Sequence, residues 1–432
     1  MTLRSFLAAL FLLGWSLLEA QPLTNLDRQR GHIMLRFTRD DVTGHYHDVN
    51  ALGDGLGQRF READSQIDSA ATLEHMYGII AQTLMSLNDS HTAFIPPRNP
   101  SLIRNGWNMK MIGDSCFVTD VEPGSDADSK GLKPGAFIRG VSHKIPTRQV
   151  LHEFDYLTRV LSPERPTMLT VEGPDGSLKD LVVSPVVVRR FRPIDFAGQT
   201  GDIEFANYLR AHDRQDSKDC QRLKIFRNEL AIWKIPRFAM SSRELESAME
   251  NVAGSGSLIL DLRCNPGGYA TNLARLAGYF FGHDVTLCYL ESRGIKDSIV
   301  AVHEKHFYDG RVFVLIDSKS TSSAEVFART MQLRHRGLVL GDASGGMVAK
   351  AEYFPRKMGA QQVVAYGSYI TTATIMMPDG SHLEGSGVIP DVRIIPTSSD
   401  LAAGRDPVLA HAAQLAGFCI DARQAAELFP IE

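Results

Sequence analysis

From Leu230 onward the chain alternates short apolar runs with amphipathic ones, and this restricts the fold more than any other feature. Leu230–Ile235, Leu258–Leu262, Val312–Ile316 and Leu338–Leu340 are near-continuous apolar runs of strand length. Between them, Leu245, Ala248, Met249 and Val252 recur at helical spacing, as do Leu273, Leu276, Ala277 and Phe280, and then Val326, Phe327, Thr330 and Met331. Ser241 stands three residues before Glu244, the spacing of a capping box at a helix start. Repeated strand–helix–strand units predict an α/β fold, a mostly parallel sheet with helices packed outside.

The rest of the chain has a different texture. Residues 23–102 are polar and helical, with Leu73, Met76, Ile80, Leu84 and Leu87 on one face, and Pro96-Pro97 stops any helix there. Residues 103–188 are short apolar runs cut by Gly and Pro, which predicts a small β domain ahead of the core, residues 194–432. Residues 1–20 combine Arg4, the apolar run Phe6–Leu18 and Ala20, the pattern of a secretory signal peptide. The run is shorter than the about 20 residues a membrane span needs. The expected mature protein is exported, periplasmic or extracellular, with a membrane anchor as the alternative if the segment is retained. With 46 Lys+Arg against 50 Asp+Glu, no basic surplus points to nucleic acid. Five scattered cysteines without a CxxC pair argue against a disulfide-built fold and a Cys-based zinc site.

Several motifs carry no chemistry on their spacing. His303 and His306 are three apart, not the four of HExxH, and His45/His47 have no second ligand cluster, so no metal is expected. Gly53, Gly55 and Gly57 lack a preceding strand, so no dinucleotide cofactor is expected either, and there is no G-x-S-x-G elbow. Four patches remain. Asp261-Leu-Arg-Cys-Asn-Pro-Gly-Gly268 closes a buried strand and opens a helix, so its backbone N–H groups suit an oxyanion, or the glycines simply make a tight turn. Ser320-Thr-Ser-Ser-Ala-Glu325 puts Ser322 at a helix N-terminus, where it is either a reactive hydroxyl or a plain N-cap paired with Glu325. The others are Asn88-Asp-Ser-His-Thr92 and Glu384 in His382–Asp391.

In this order, with Gly341–Gly346 between the last two core patches, these segments resemble the tail-specific (C-terminal processing) protease family. Gly124-Ser-Asp-Ala and Gly131–Val141 look like the centre of a PDZ domain, so the resemblance covers nearly the whole mature chain. It implies a ClpP/crotonase-like core with an N-terminal helical section and an inserted PDZ-like domain. It also implies a serine peptidase acting on peptide or protein substrates. The Ser–Lys branch of the family places its lysine where Met347 stands, the nearest lysine being Lys350. The branch similar to the tricorn core protease uses Ser, His and Glu, matching Ser90-His91 and Glu384 before Gly387-Val-Ile-Pro-Asp391. The resemblance therefore implies Ser322 as nucleophile, His91 as base, and Ser90 and Glu384 as its orienting partners. Ser323 and Gly267 or Gly268 would supply the oxyanion N–H groups. A family member without catalysis, binding a peptide or other ligand, is the alternative; it would have no reason to keep all four side chains.

Overall fold

The computed structural model describes residues 23–48, 50, 53–97, 101–162, 164–173, 176–190, 222–226, 229–359 and 364–429. The expected signal peptide and the joint before residue 194 lie outside them.

The polar N-terminal section folds as α1 (Asn25–His45), α2 (Asp54–Asp68) and α3 (Leu73–Met85). Thr24 and Thr72 cap α1 and α3 through their hydroxyls. Gly31 lets α1 approach α3: a β-carbon there would fall 2.4 Å from the Met76 sulfur. Met34, Ile67, Met76, Ile80 and Leu84 pack on Phe94, Tyr366 and Ile370, so this core is shared with a distant part of the chain. Phe94 lies in β1 (Ala93–Ile95), which pairs antiparallel with β17 (Val364–Met376).

Next, β2 (Ser101–Arg104) pairs with β8 (Val186–Arg190). Between them β3 (Trp107–Ile112), β4 (Ser115–Val121), β5 (Phe137–Val141), β6 (Thr167–Glu172) and β7 (Leu178–Val183) form an antiparallel sheet in sequential order. The short α4 (Asp126–Ser129) and α5 (Arg148–Tyr156) accompany it. Trp107 is buried in this sheet's core, its ring 6.2 Å from that of Phe154.

The alternating region builds a six-stranded sheet, ordered β18-β15-β14-β11-β10-β9. Its strands are β9 (Arg222–Phe226), β10 (Leu230–Lys234), β11 (Ser257–Asp261), β14 (Arg311–Ile316), β15 (Leu338–Gly341) and β18 (Val392–Arg393). All neighbours run parallel except β9 against β10. Trp233, Leu258, Leu260, Val312 and Val314 face α6 (Ser242–Val252), α7 (Ala270–Gly278) and α8 (Ser323–Leu333). The intervening Ile232, Ile259, Phe313 and Leu315 face α10 (Pro407–Leu415) and α11 (Ala422–Leu428), which follow the short α9 (Ser398–Ala402). Burial on both faces explains the near-continuous apolar runs.

A second sheet was not expected from the sequence. Here β12 (Val285–Ser292), β13 (Ile295–Ala301) and β16 (Ala349–Met358) join β17 and β1 in antiparallel pairing. It brings the segment before β1 beside the core.

Candidate active site

Ser322 follows the loop leaving β14 and precedes α8. Its backbone lies at φ 56°, ψ −120°, in the left-handed half of conformational space that a β-carbon disfavours. The Ser322–Glu325 pair is disposed as a capping box on both sides, but only the glutamate half completes a hydrogen bond. Glu325 Oε2 accepts from Ser322 N–H at 3.0 Å, whereas the serine side chain makes no cap hydrogen bond. The hydroxyl is left to a cavity of about 1960 Å³, lined by Ser90, His91, Cys264, Gly268, Ser322 and Ser323 among others.

The Asp261–Gly268 turn packs directly on Ser322. A β-carbon at Gly267 (φ +92°) would stand 2.6 Å from Ser322 Cβ, and one at Gly268 would strike the Phe238 carbonyl at 2.3 Å. Both glycines are therefore required by close approach. Of the two proposed N–H donors, Gly267 does not fit: its N–H donates to Asn265 Oδ1 at 2.8 Å. Gly268 N–H and Ser323 N–H make no hydrogen bond among the described residues, while Ser323 Oγ donates to the Gly268 carbonyl at 3.1 Å and holds the two together. Asn265 also donates to the Ile235 carbonyl. Arg263 turns away, bridging Asp261 and Asp406 in a buried network.

His91 reaches the same cavity from the loop before β1. Its Nδ1 lies 2.6 Å from Ser90 Oγ. Glu384 Oε1 accepts from Ser90 N–H at 3.3 Å and Oε2 from Val348 N–H at 2.5 Å, so this carboxylate ties the histidine loop to the core. Burial pushes the His91 pKa below its ordinary value; the Glu384 and Asp89 charges offset part of that, and His152 adds to it. No hydrogen bond joins Ser322 Oγ to His91. The structure thus brings Ser90, His91, Ser322, Ser323 and Gly268 around one cavity, with Glu384 joined to it through Ser90 N–H. Met347, which the resemblance matches to the lysine of the other branch, lines the cavity, and its carbonyl accepts from Ser322 N–H at 2.9 Å. Lys350 pairs with Glu352 at 3.1 Å.

Residues 229–394 match the model of peptidase family S41. That stretch holds the parallel sheet and the Ser322 loop, and the similarity to the family lies there. A probable CtpA-like serine protease of Staphylococcus epidermidis is 23% identical over 294 residues, 67% of this chain and 52% of that protein. The tail-specific protease of Haemophilus influenzae is 26% identical over 278 residues, 60% of this chain and 36% of its own length. The chain thus spans about half the length, or less, of these curated relatives. Mature CPAF has the same fold: TM-score 0.61 over 88% of this chain and 95% of that one, at 13% identity.

Two acidic residues hold the site together in ways that their sequence positions do not display. Buried Glu325 accepts from Ser322, Gly346 and Met347 N–H groups and the Ser344 hydroxyl, clasping the loop after β15 to the N-terminus of α8. Its resemblance to an ordinary capping residue concealed this. Asp89 Oδ1 accepts from His91 N–H, Thr92 N–H and Thr371 Oγ at 2.7–2.8 Å, shaping the histidine loop. Its place beside Ser90-His91 was the one signal available. The decoys have local partners: His45 stacks on Phe354, and His303 Nδ1 lies 2.8 Å from Asp284.

Proposed function

We propose that this chain is a serine-type endopeptidase that cleaves peptide or protein substrates through an acyl-enzyme. The uncapped Ser322 hydroxyl, held at a positive φ in the cavity that His91 also lines, carries this reading.

With Nδ1–H donated to Ser90 Oγ, the neutral His91 ring keeps its Nε2 lone pair for the Ser322 proton. Ser322 Oγ attacks the substrate carbonyl as that proton passes to Nε2, and Gly268 N–H and Ser323 N–H receive the oxyanion. Collapse breaks the C–N bond, and the imidazolium returns the proton to the leaving amine. Water then cleaves the ester with His91 again as base. Ser90 and Glu384 orient the ring and favour its charged form. Ser322 Oγ and His91 draw into contact once substrate closes the site, as catalytic hydrogen bonds often do.

In this reading residues 103–188 are a PDZ-like module. The basic, apolar and small residues of 1–20 direct export, so N-terminal sequencing of exported protein should begin at Gln21. The decisive experiment is labelling by a fluorophosphonate probe with peptide mapping, beside hydrolysis assays of Ser322→Ala. Modification at Ser322 and loss of hydrolysis in the variant are expected; unchanged hydrolysis by Ser322→Ala would sink the assignment.

A further inference from the structure

The sheet β3–β7 is fastened to the loop that carries Ser322. Lys110 of β3 extends its side chain into the core, where Nζ donates to Asp317 Oδ2 at 2.9 Å across 207 residues of sequence. Both side chains are more than nine-tenths buried. One residue further along β3, the Met111 carbonyl accepts from Ser318 Oγ at 2.6 Å. Gly113 N–H then donates to Asp342 Oδ2 at 2.8 Å.

Asp317 is the first residue after β14, and its other oxygen is fully employed. Oδ1 accepts from Cys264 N–H at 2.9 Å and Lys319 N–H at 3.0 Å. Its own N–H donates to Ser320 Oγ, which donates onward to the Leu262 carbonyl at 2.7 Å. Thr321 N–H donates to the Asn265 carbonyl at 2.9 Å. One carboxylate thus joins the Cys264–Gly268 turn to the loop before Ser322.

We propose that Lys110 is a positioning residue for the oxyanion site: its ammonium fixes Asp317, and Asp317 fixes the Cys264–Gly268 turn against Ser322. This rests on the reading of Ser322 as the nucleophile. Without the ammonium, the buried carboxylate loses its only charged hydrogen-bond partner among the described residues and must rotate or take up a proton. Either change weakens the bond to Cys264 N–H and lets Gly268 N–H drift from Ser323 N–H. Burial would lower the Lys110 pKa and raise that of Asp317, but their mutual attraction reverses both, which keeps the pair charged.

The test compares wild type with Lys110→Met in the full chain, by amide hydrogen exchange and peptide hydrolysis. Exchange in peptides covering 262–269 should quicken at least about tenfold, with α1 unaffected. The kcat should fall about 100-fold with KM within about threefold, as expected of a misplaced donor rather than lost substrate binding. A folded variant whose exchange at 262–269 or whose kcat stays within about twofold of wild type overturns the proposal. If Lys110→Met does not fold, Lys110→Gln keeps a neutral donor to Asp317, and the same two readouts decide. A wild-type chain that neither hydrolyses peptide nor labels at Ser322 removes the peptidase reading instead, and the exchange comparison still decides the Lys110–Asp317 link.

Discussion

Ser322 pays a conformational penalty of about 1–3 kcal/mol for its positive φ. The strain is held by neighbours on both sides: Met347 and Glu325 accept its N–H, and the absent side chain of Gly267 admits its β-carbon. Nothing in this cradle requires a lysine. Lys350→Ala should therefore keep kcat/KM within about twofold of wild type, measured on a fluorogenic peptide, because surface ion pairs such as Lys350–Glu352 contribute little. A collapse of turnover with the fold intact would restore the Ser–Lys alternative. The pH profile gives a second residue-scale test. His91 must be neutral to accept the Ser322 proton, and its pKa is depressed, chiefly by burial. Activity should rise with pH through a midpoint below the unperturbed value of about 6.5, and His91→Ala should abolish that limb. A midpoint above that value would contradict the burial argument.

At the scale of elements, α8 is held at its N-terminus by one buried carboxylate. Glu325→Gln would turn an amide NH₂ toward donors, since Ser322 N–H, Gly346 N–H, Met347 N–H and Ser344 Oγ–H all point inward. At about 1–3 kcal/mol for each buried donor left unmatched, the variant should lose more than about 2 kcal/mol of stability in urea unfolding, along with most of its activity. Stability within about 0.5 kcal/mol of wild type would show that the clasp is dispensable. The elements legible in the sequence were those whose pattern reflects burial. Leu230–Ile235 and Leu258–Leu262 read as strands because both faces are covered, and α6 announced itself through Ser241 and Glu244, whose reciprocal hydrogen bonds form. The hairpins β12–β13 and β16–β17 went unread because their exposure is irregular. In β13 six of seven residues are exposed or half-buried, so no period-2 alternation survives. In the site, side-chain types were legible and backbone roles were not. Choosing between Gly267 and Gly268 needed the Asn265 amide in place, and Glu325 looked like a local cap because its distant partners are mostly N–H groups, which sequence does not display.

At the scale of the whole molecule, the site is composite. His91 precedes the β3–β7 sheet in sequence, whereas Ser322 and Glu384 follow it, and three independent attachments hold the histidine loop against the core. Strand β1 pairs Ala93, Phe94 and Ile95 with Tyr369, Ser368 and Gly367 of β17. Asp89 accepts from Thr371 Oγ, and Glu384 accepts from Ser90 N–H. Beneath them Phe94, Tyr366 and Ile370 are buried against α1–α3, and the Arg356 guanidinium on β16 binds Asp41 of α1. Residues 23–97 are therefore one wall of the candidate site rather than a separate cap. A chain beginning near Ile103 should be inactive, and it should also bare Tyr366 and Ile370. Burying such side chains stabilises by about 1.5–3 kcal/mol each, so the loss should appear as a lower urea midpoint and as binding of a hydrophobic dye. His91→Ala in the full chain separates the two consequences. It removes the proposed base but leaves β1, Asp89 and the shared core, so hydrolysis should fall by at least about 100-fold while the urea midpoint barely moves. Full activity from either protein would refute the composite site. A destabilised but still active truncation would leave the wall intact as architecture and remove His91 from the chemistry.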